Sequence, residues 1–212
     1  MRTFSHPGYK RFLLSVGCLL SIHFTALFFL TLFRLVFFFS ANYDFPDQEH
    51  VGFMSIWPAF IRGVWFDNVI ACYILLIPLV AVSISALFNY YGKILWNVTC
   101  IFFSLFYGIV LLVTAANIPY FQYFFKIINS SVFNWFGYMN TTAGMVFGET
   151  SYYPPLIGFL LTLVLFIWLM RRLIRHFQRL LNTKNPSVFW LDRIYIFLTA
   201  GICIGLCLFG IR

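Results

Sequence analysis

The chain has 212 residues, 62% of them hydrophobic, 22% aromatic and only 9% charged, with a net charge of +8. A soluble domain carries charge on about a quarter of its residues, so this composition argues against a water-soluble globule and for helices packed in lipid. It also argues against a nucleic-acid binder, because the basic residues flank apolar runs instead of forming a patch interleaved with polar recognition residues.

Taken in chain order, the first predicted span is 12–38. Its run from Phe12 to Phe33 holds no charge, and Arg2, Lys10 and Arg11 precede it. A secretory signal has an apolar region of about 7 to 15 residues and a small-residue cleavage site. This run is longer and leads into Arg34 and Phe37-Phe38-Phe39, so it is expected to stay attached as a membrane helix. Asp44, Pro46, Asp47, Glu49 and His50 then form a polar loop, and the aromatic stretch from Gly52 to Phe60 reads as an interfacial segment.

The second span, 68–90, contains Pro78, which lipid-embedded helices tolerate when neighbouring groups satisfy the freed carbonyl. Only Tyr90, Tyr91, Gly92 and Lys93 separate it from the third span, 94–117, so the two should form a hairpin. Asn117 and Pro119 fall where a span of about 20 residues leaves the hydrocarbon, and the third helix is expected to end there. From Tyr120 to Tyr153 aromatics alternate with Asn129, Ser130, Asn134, Asn140, Thr141 and Thr142, a mixture that predicts short helices lying at the outer interface. The fourth span, 154–175, opens on Pro154-Pro155, acceptable in a first helical turn, and ends in Arg171, Arg172 and Arg175, with Arg179 just beyond as the helix continues. Asn182 to Ser187 makes a turn, and the fifth span is 192–211. The expected fold is all-α: one integral membrane domain, 1–212, of five transmembrane helices with short interfacial helices on the outer side.

Basic residues orient it. Arg2, Lys10, Arg11, Lys93, Arg171, Arg172, Arg175, Arg179, Lys184 and Arg193 fall on one side, against Arg34, Arg62, Lys126 and Arg212 on the other. The positive-inside rule then puts the N-terminus in the cytoplasm and Arg212 outside it.

Few residues suggest chemistry. Arg34 and Asp67 lie at the outer ends of the first and second spans with Arg62 nearby, and an ion pair or snorkelling to the headgroups is expected; contact with a lipid phosphate or other substrate is the alternative. His23 lies mid-span without a carboxylate at its depth and reads as a hydrogen-bonded core histidine, while Ser83, Ser85 and Thr162 are scattered singly, unlike the convergent polar groups of a transporter. Cys18, Cys72, Cys100, Cys203 and Cys207 all sit in apolar stretches as small hydrophobes. No nucleophile with a base and an orienting acid can be assembled, and neither phosphate-cradling glycine motifs nor zinc motifs occur. The sequons at Asn97, Asn129 and Asn140 are short enough to arise by chance.

Several segments are similar to the membrane half of the lipoteichoic acid synthase-like sulfatase family. They are Phe33-Arg34-Leu35 at the end of the first span, Arg62-Gly63-Val64-Trp65-Phe66-Asp67 entering the second, Ala116-Asn117-Ile118-Pro119-Tyr120-Phe121 leaving the third, and the run from Phe124 to Phe133. Asn117 stands where many relatives have an acidic residue, and Gln122 and Ile128 where basic residues are common. The resemblance implies the membrane anchor and docking domain of a phosphoglycerol or phosphoethanolamine transferase or sulfatase of the bacterial cytoplasmic membrane, not catalytic by itself. Its partners would be membrane lipids and an extracytoplasmic catalytic domain in cis or in trans, beyond Arg212. No cofactor is expected in this chain, the family's divalent metal belonging to that domain. Arg34, Arg62, Asp67 and Asn117 are the candidates for headgroup or interdomain contact. The alternatives are a small transporter or channel subunit and a stand-alone membrane partner protein.

Overall fold

The computed structural model describes residues 7–43, 53–129, 144, 148, 150–181 and 190–211. Five helices carry the chain: α1 Pro7–Tyr43, α2 Phe53–Leu87, α3 Lys93–Phe124, α4 Tyr153–Leu181 and α5 Trp190–Gly210, with one turn of 3-10 helix at Thr150–Tyr152 leading into α4. All five are long and apolar enough to cross a membrane. An all-α transmembrane bundle is therefore what the sequence folds into, and no strand occurs among the described residues.

Helix boundaries differ from the expected spans in informative ways. α2 begins at Phe53, not near 68, so the aromatic stretch expected at the interface is the first part of the same helix, with Pro58 inside it. Hydropathy places the boundary at the charges Arg62 and Asp67, but charge does not stop a helix whose arginine and aspartate have somewhere to go. α3 continues past Asn117 and Pro119 to Phe124. Pro119 removes one bond to the preceding turn and its ring crowds the carbonyl four residues earlier, yet the helix runs on through it. The helix ends instead at Phe125, whose left-handed backbone (φ 51°, ψ 29°) donates its N–H to the Phe121 carbonyl at 2.8 Å. The polar loop of 44–50 and the turn of 182–187 lie outside the described residues, as does most of the stretch expected to hold interfacial helices.

α1 is the hub, packing against each of the other four helices, while α2 also pairs with α5 and α3 with α4. Its buried side chains include Phe12, Val16, Leu19, Ile22, Ala26, Phe29 and Phe33, a repeat of three and four that keeps one seam inward. α3 buries Trp96, Thr99, Phe103, Tyr107, Leu111 and Ala115, and α4 buries Phe166, Met170 and Ile174, both along rows of three- and four-residue spacing. These rows interlock where α1, α3 and α4 meet. Phe166 stands edge-on to Phe29 (6.2 Å between centroids) and to Tyr107 (5.5 Å), and Tyr107 stacks on Phe103 (5.6 Å). Since lipid is as apolar as the side chains, such close packing is the main force available to join the helices.

Serine and threonine hydroxyls within the spans are satisfied locally. Ser21, Thr25, Thr31, Ser83, Ser104, Thr114 and Thr162 each donate to the carbonyl four residues earlier in their own helix. Ser83 and Thr162, isolated polar groups in the sequence, thus need no partner elsewhere.

The α2–α3 hairpin is closed by a Schellman turn. Asn89 takes the left-handed conformation (φ 55°), its N–H bonds to the Ala86 carbonyl at 3.0 Å, and the Tyr90 N–H reaches back to Ser85 at 2.8 Å. Asparagine tolerates that backbone better than most residues. Next to it the Tyr91 hydroxyl is buried without a hydrogen-bond partner among the described residues. Burial pushes this phenol up from 10.0 to about 12, with the Arg11 guanidinium pulling the other way. The unfolded chain then loses its proton first, so stability is untouched below pH 10 and falls between pH 10 and pH 12. Alkaline denaturation of detergent-solubilised protein should be shallower over that window in Tyr91→Phe than in the wild type.

Candidate functional site

At the end of the bundle where α1 finishes and α2 starts, a charged clamp joins the two helices. Arg34 donates through Nε to Asp67 Oδ2 at 3.1 Å and through Nη2 to Asp67 Oδ1 at 2.8 Å, a bidentate pair. The guanidinium lies directly against Gly63, one turn before Asp67 on α2, and a Cβ there would collide with its Cζ and Nη1. Glycine opens the notch in which the arginine lies flat, and Asp67 closes it; a larger residue there would have to push the guanidinium aside. The arginine side chain keeps 32% of its surface exposed and the aspartate 13%, so the cation is the more accessible partner and the anion is held inside.

Arg62, the third expected member, is exposed and makes no ion pair among the described residues. Five positions before Asp67 on a helix, it faces away from the clamp. Asn117 serves the backbone instead. Its Oδ1 accepts the Ile128 N–H at 2.8 Å and so folds the chain back after α3 ends. Of the four candidates the fold therefore brings two together and leaves Arg62 and Asn117 apart from them.

Beside the clamp, on the opposite flank of α1, a cleft of about 400 Å³ opens between α1, α3 and α4. Leu32, Val36, Ile118 and Pro155 give it apolar walls, and the Gln122 amide donating to Ser40 Oγ at 3.0 Å gives it a polar rim.

Deeper in the bundle, His23 is buried and its Nε2 lies 3.2 Å from Asn68 Oδ1. Cys72, one turn further along α2, points its thiol at the same oxygen (3.9 Å), and the Cys207 thiol of α5 donates to the Cys72 carbonyl at 3.2 Å. This polar link between α1, α2 and α5 is not visible in the sequence, where Asn68 marks only the start of a span. Its sole signal is an amide at the edge of an apolar run.

Exchange of Gly63 tests the clamp. Gly63→Ala gains about 1 kcal/mol of helix propensity but displaces the guanidinium from Asp67. A double-mutant cycle by thermal unfolding should therefore find Gly63→Ala destabilising in the wild type and stabilising in an Asp67→Ala background, where the arginine is already free to move.

Five helices long and apolar enough to span, with serine and threonine hydroxyls closed on their own helices, define a multi-pass membrane protein in contact with lipid. Compared with family models, curated proteins and solved structures, the chain matches none in any of the three.

Proposed function

We propose that the chain is the membrane anchor and docking part of a lipoteichoic acid synthase-like transferase or sulfatase, with the chemistry performed by an extracytoplasmic domain in cis or in trans. One observation supports this above others. Two of the segments resembling that family, Phe33-Arg34-Leu35 and Arg62 to Asp67, supply the two halves of a single clamp. A third, Ala116 to Phe121, supplies the asparagine that shapes the chain leaving α3.

In this reading the clamp end faces the extracytoplasmic side of a bacterial cytoplasmic membrane, as the distribution of basic residues favours. Arg34 and Arg62 would meet lipid phosphates or the catalytic domain, and any divalent metal would be bound by that domain. Sequencing the reading frame beyond Arg212 tests the proposal. A following soluble domain with a metal-binding aspartate, a threonine or serine nucleophile and paired histidines is the expected result; a stop codon with no catalytic subunit encoded nearby would overturn it. Membrane-impermeant thiol labelling of single cysteines placed at Lys93 and Lys126 tests the orientation, with labelling in intact cells expected at Lys126 only.

A second reading, a small transporter or channel subunit, draws on the His23–Asn68 pair inside the spans. It requires solute or ion flux across liposomes holding the purified chain.

A further inference from the structure

The last three turns of α4 carry Arg171, Arg172, Arg175 and Arg179, all exposed. Arg171, Arg175 and Arg179 are spaced by four, so they form one stripe along the helix. The opposite face is anchored: Met170 and Ile174 are buried, and the Phe177 ring lies against Gly17 of α1. The helix therefore cannot roll to hide its charges. Among the described residues no carboxylate pairs with any of the four. Arg175 Nε donates to the Arg171 carbonyl at 3.2 Å, and Arg172 lies over the exposed Trp168 ring at 5.3 Å.

Position decides what such a stripe meets. The apolar part of α4 runs from Tyr153 to Met170, which at about 1.5 Å per residue nearly matches a hydrocarbon core of about 30 Å. Arg171 follows at once, so the stripe starts at the boundary, where long arginine side chains reach the headgroup layer and tryptophan is at home. The groups available at that depth are lipid phosphates, and a guanidinium fork matches phosphate oxygens two at a time.

We propose that this stripe is a binding site for anionic phospholipid headgroups, holding lipid of net negative charge in preference to zwitterionic lipid. The site is independent of any role for the clamp at the other end of the bundle. Trp168 and Arg172 form its membrane-side edge, and Arg175 and Arg179 its water-side edge.

The test is native mass spectrometry of the full chain released from mixed micelles of phosphatidylglycerol and phosphatidylcholine. The wild type is expected to retain phosphatidylglycerol preferentially, and an R171Q/R172Q/R175Q/R179Q variant to lose at least about a hundredfold of that preference, since each basic residue near a charged surface is worth several-fold in affinity. Wild-type retention should also fall steeply as salt is raised, a readout that does not depend on the variant folding. Inorganic phosphate at matched concentration should not displace the lipid. Equal retention of both lipids by the wild type, retention insensitive to salt, equal retention by a folded variant, or displacement by free phosphate would each overturn the proposal.

Discussion

Phe166→Ala should be the most damaging single substitution in the bundle, costing about 3–5 kcal/mol, the usual range for truncating a buried phenylalanine. Thermal unfolding in detergent, followed by tryptophan fluorescence or loss of monodispersity, checks it. The reason is geometric. α4 is less embedded than α1 or α2 and commits few large side chains to the interior, and Phe166 touches both α1, through Phe29, and α3, through Tyr107. Its removal empties the junction of three helices, and lipid tails outside give no hydrophobic drive to collapse the void. Phe166→Leu, which refills part of the volume, should cost less than half as much. Leu161→Ala, on the lipid-facing side of the same helix at 68% exposure, should stay within about 0.5 kcal/mol of the wild type.

The second large effect lies in the clamp, and it is asymmetric. Arg34→Ala leaves Asp67, only 13% exposed, without its counter-charge on a side chain too short to reach water. Asp67→Ala leaves an arginine that is 32% exposed and long enough to swing toward the headgroups. Breaking a fully buried pair costs about 3–5 kcal/mol; partial exposure lowers both values here, to about 2–3 for Arg34→Ala and about 1 for Asp67→Ala. Thermal midpoints of the two single variants should rank in that order. Replacing both residues by leucine should recover most of the loss, because the orphaned charge is what destabilises each single variant. Equal midpoints for the two would show that Asp67 reaches solvent by another route.

Much of this architecture is legible in the pattern of apolar runs, since lipid demands long uninterrupted helices and punishes exposed backbone. Five apolar helices, the Tyr90–Lys93 hairpin and the Arg34–Asp67 pair can be read that way. Helix ends cannot. The start of α2 is hidden because Arg62 and Asp67 look like the edge of a span when judged by charge alone, and only the notch at Gly63 explains how the helix holds a guanidinium against its own backbone. Asn117 looks like a helix terminator, yet its side chain acts on Ile128, eleven residues on, a distance at which sequence pattern carries no signal. The His23–Asn68 link is hidden for the same reason: it joins two helices through residues 45 positions apart.

The place of α1 at the hub also shapes how the molecule is made. α1 leaves the ribosome ahead of the other four helices, and it is the one against which each of them docks. When α2 follows, it brings Asn68 for His23 and Asp67 for Arg34, so these two polar groups of the first helix are matched before a third helix exists. α3 and α4 then add to that surface, and α5 closes on both α2 and α1, where the Tyr9 hydroxyl meets Thr199. Biogenesis can therefore follow the order of translation, with α1 already present to receive each later helix as it inserts.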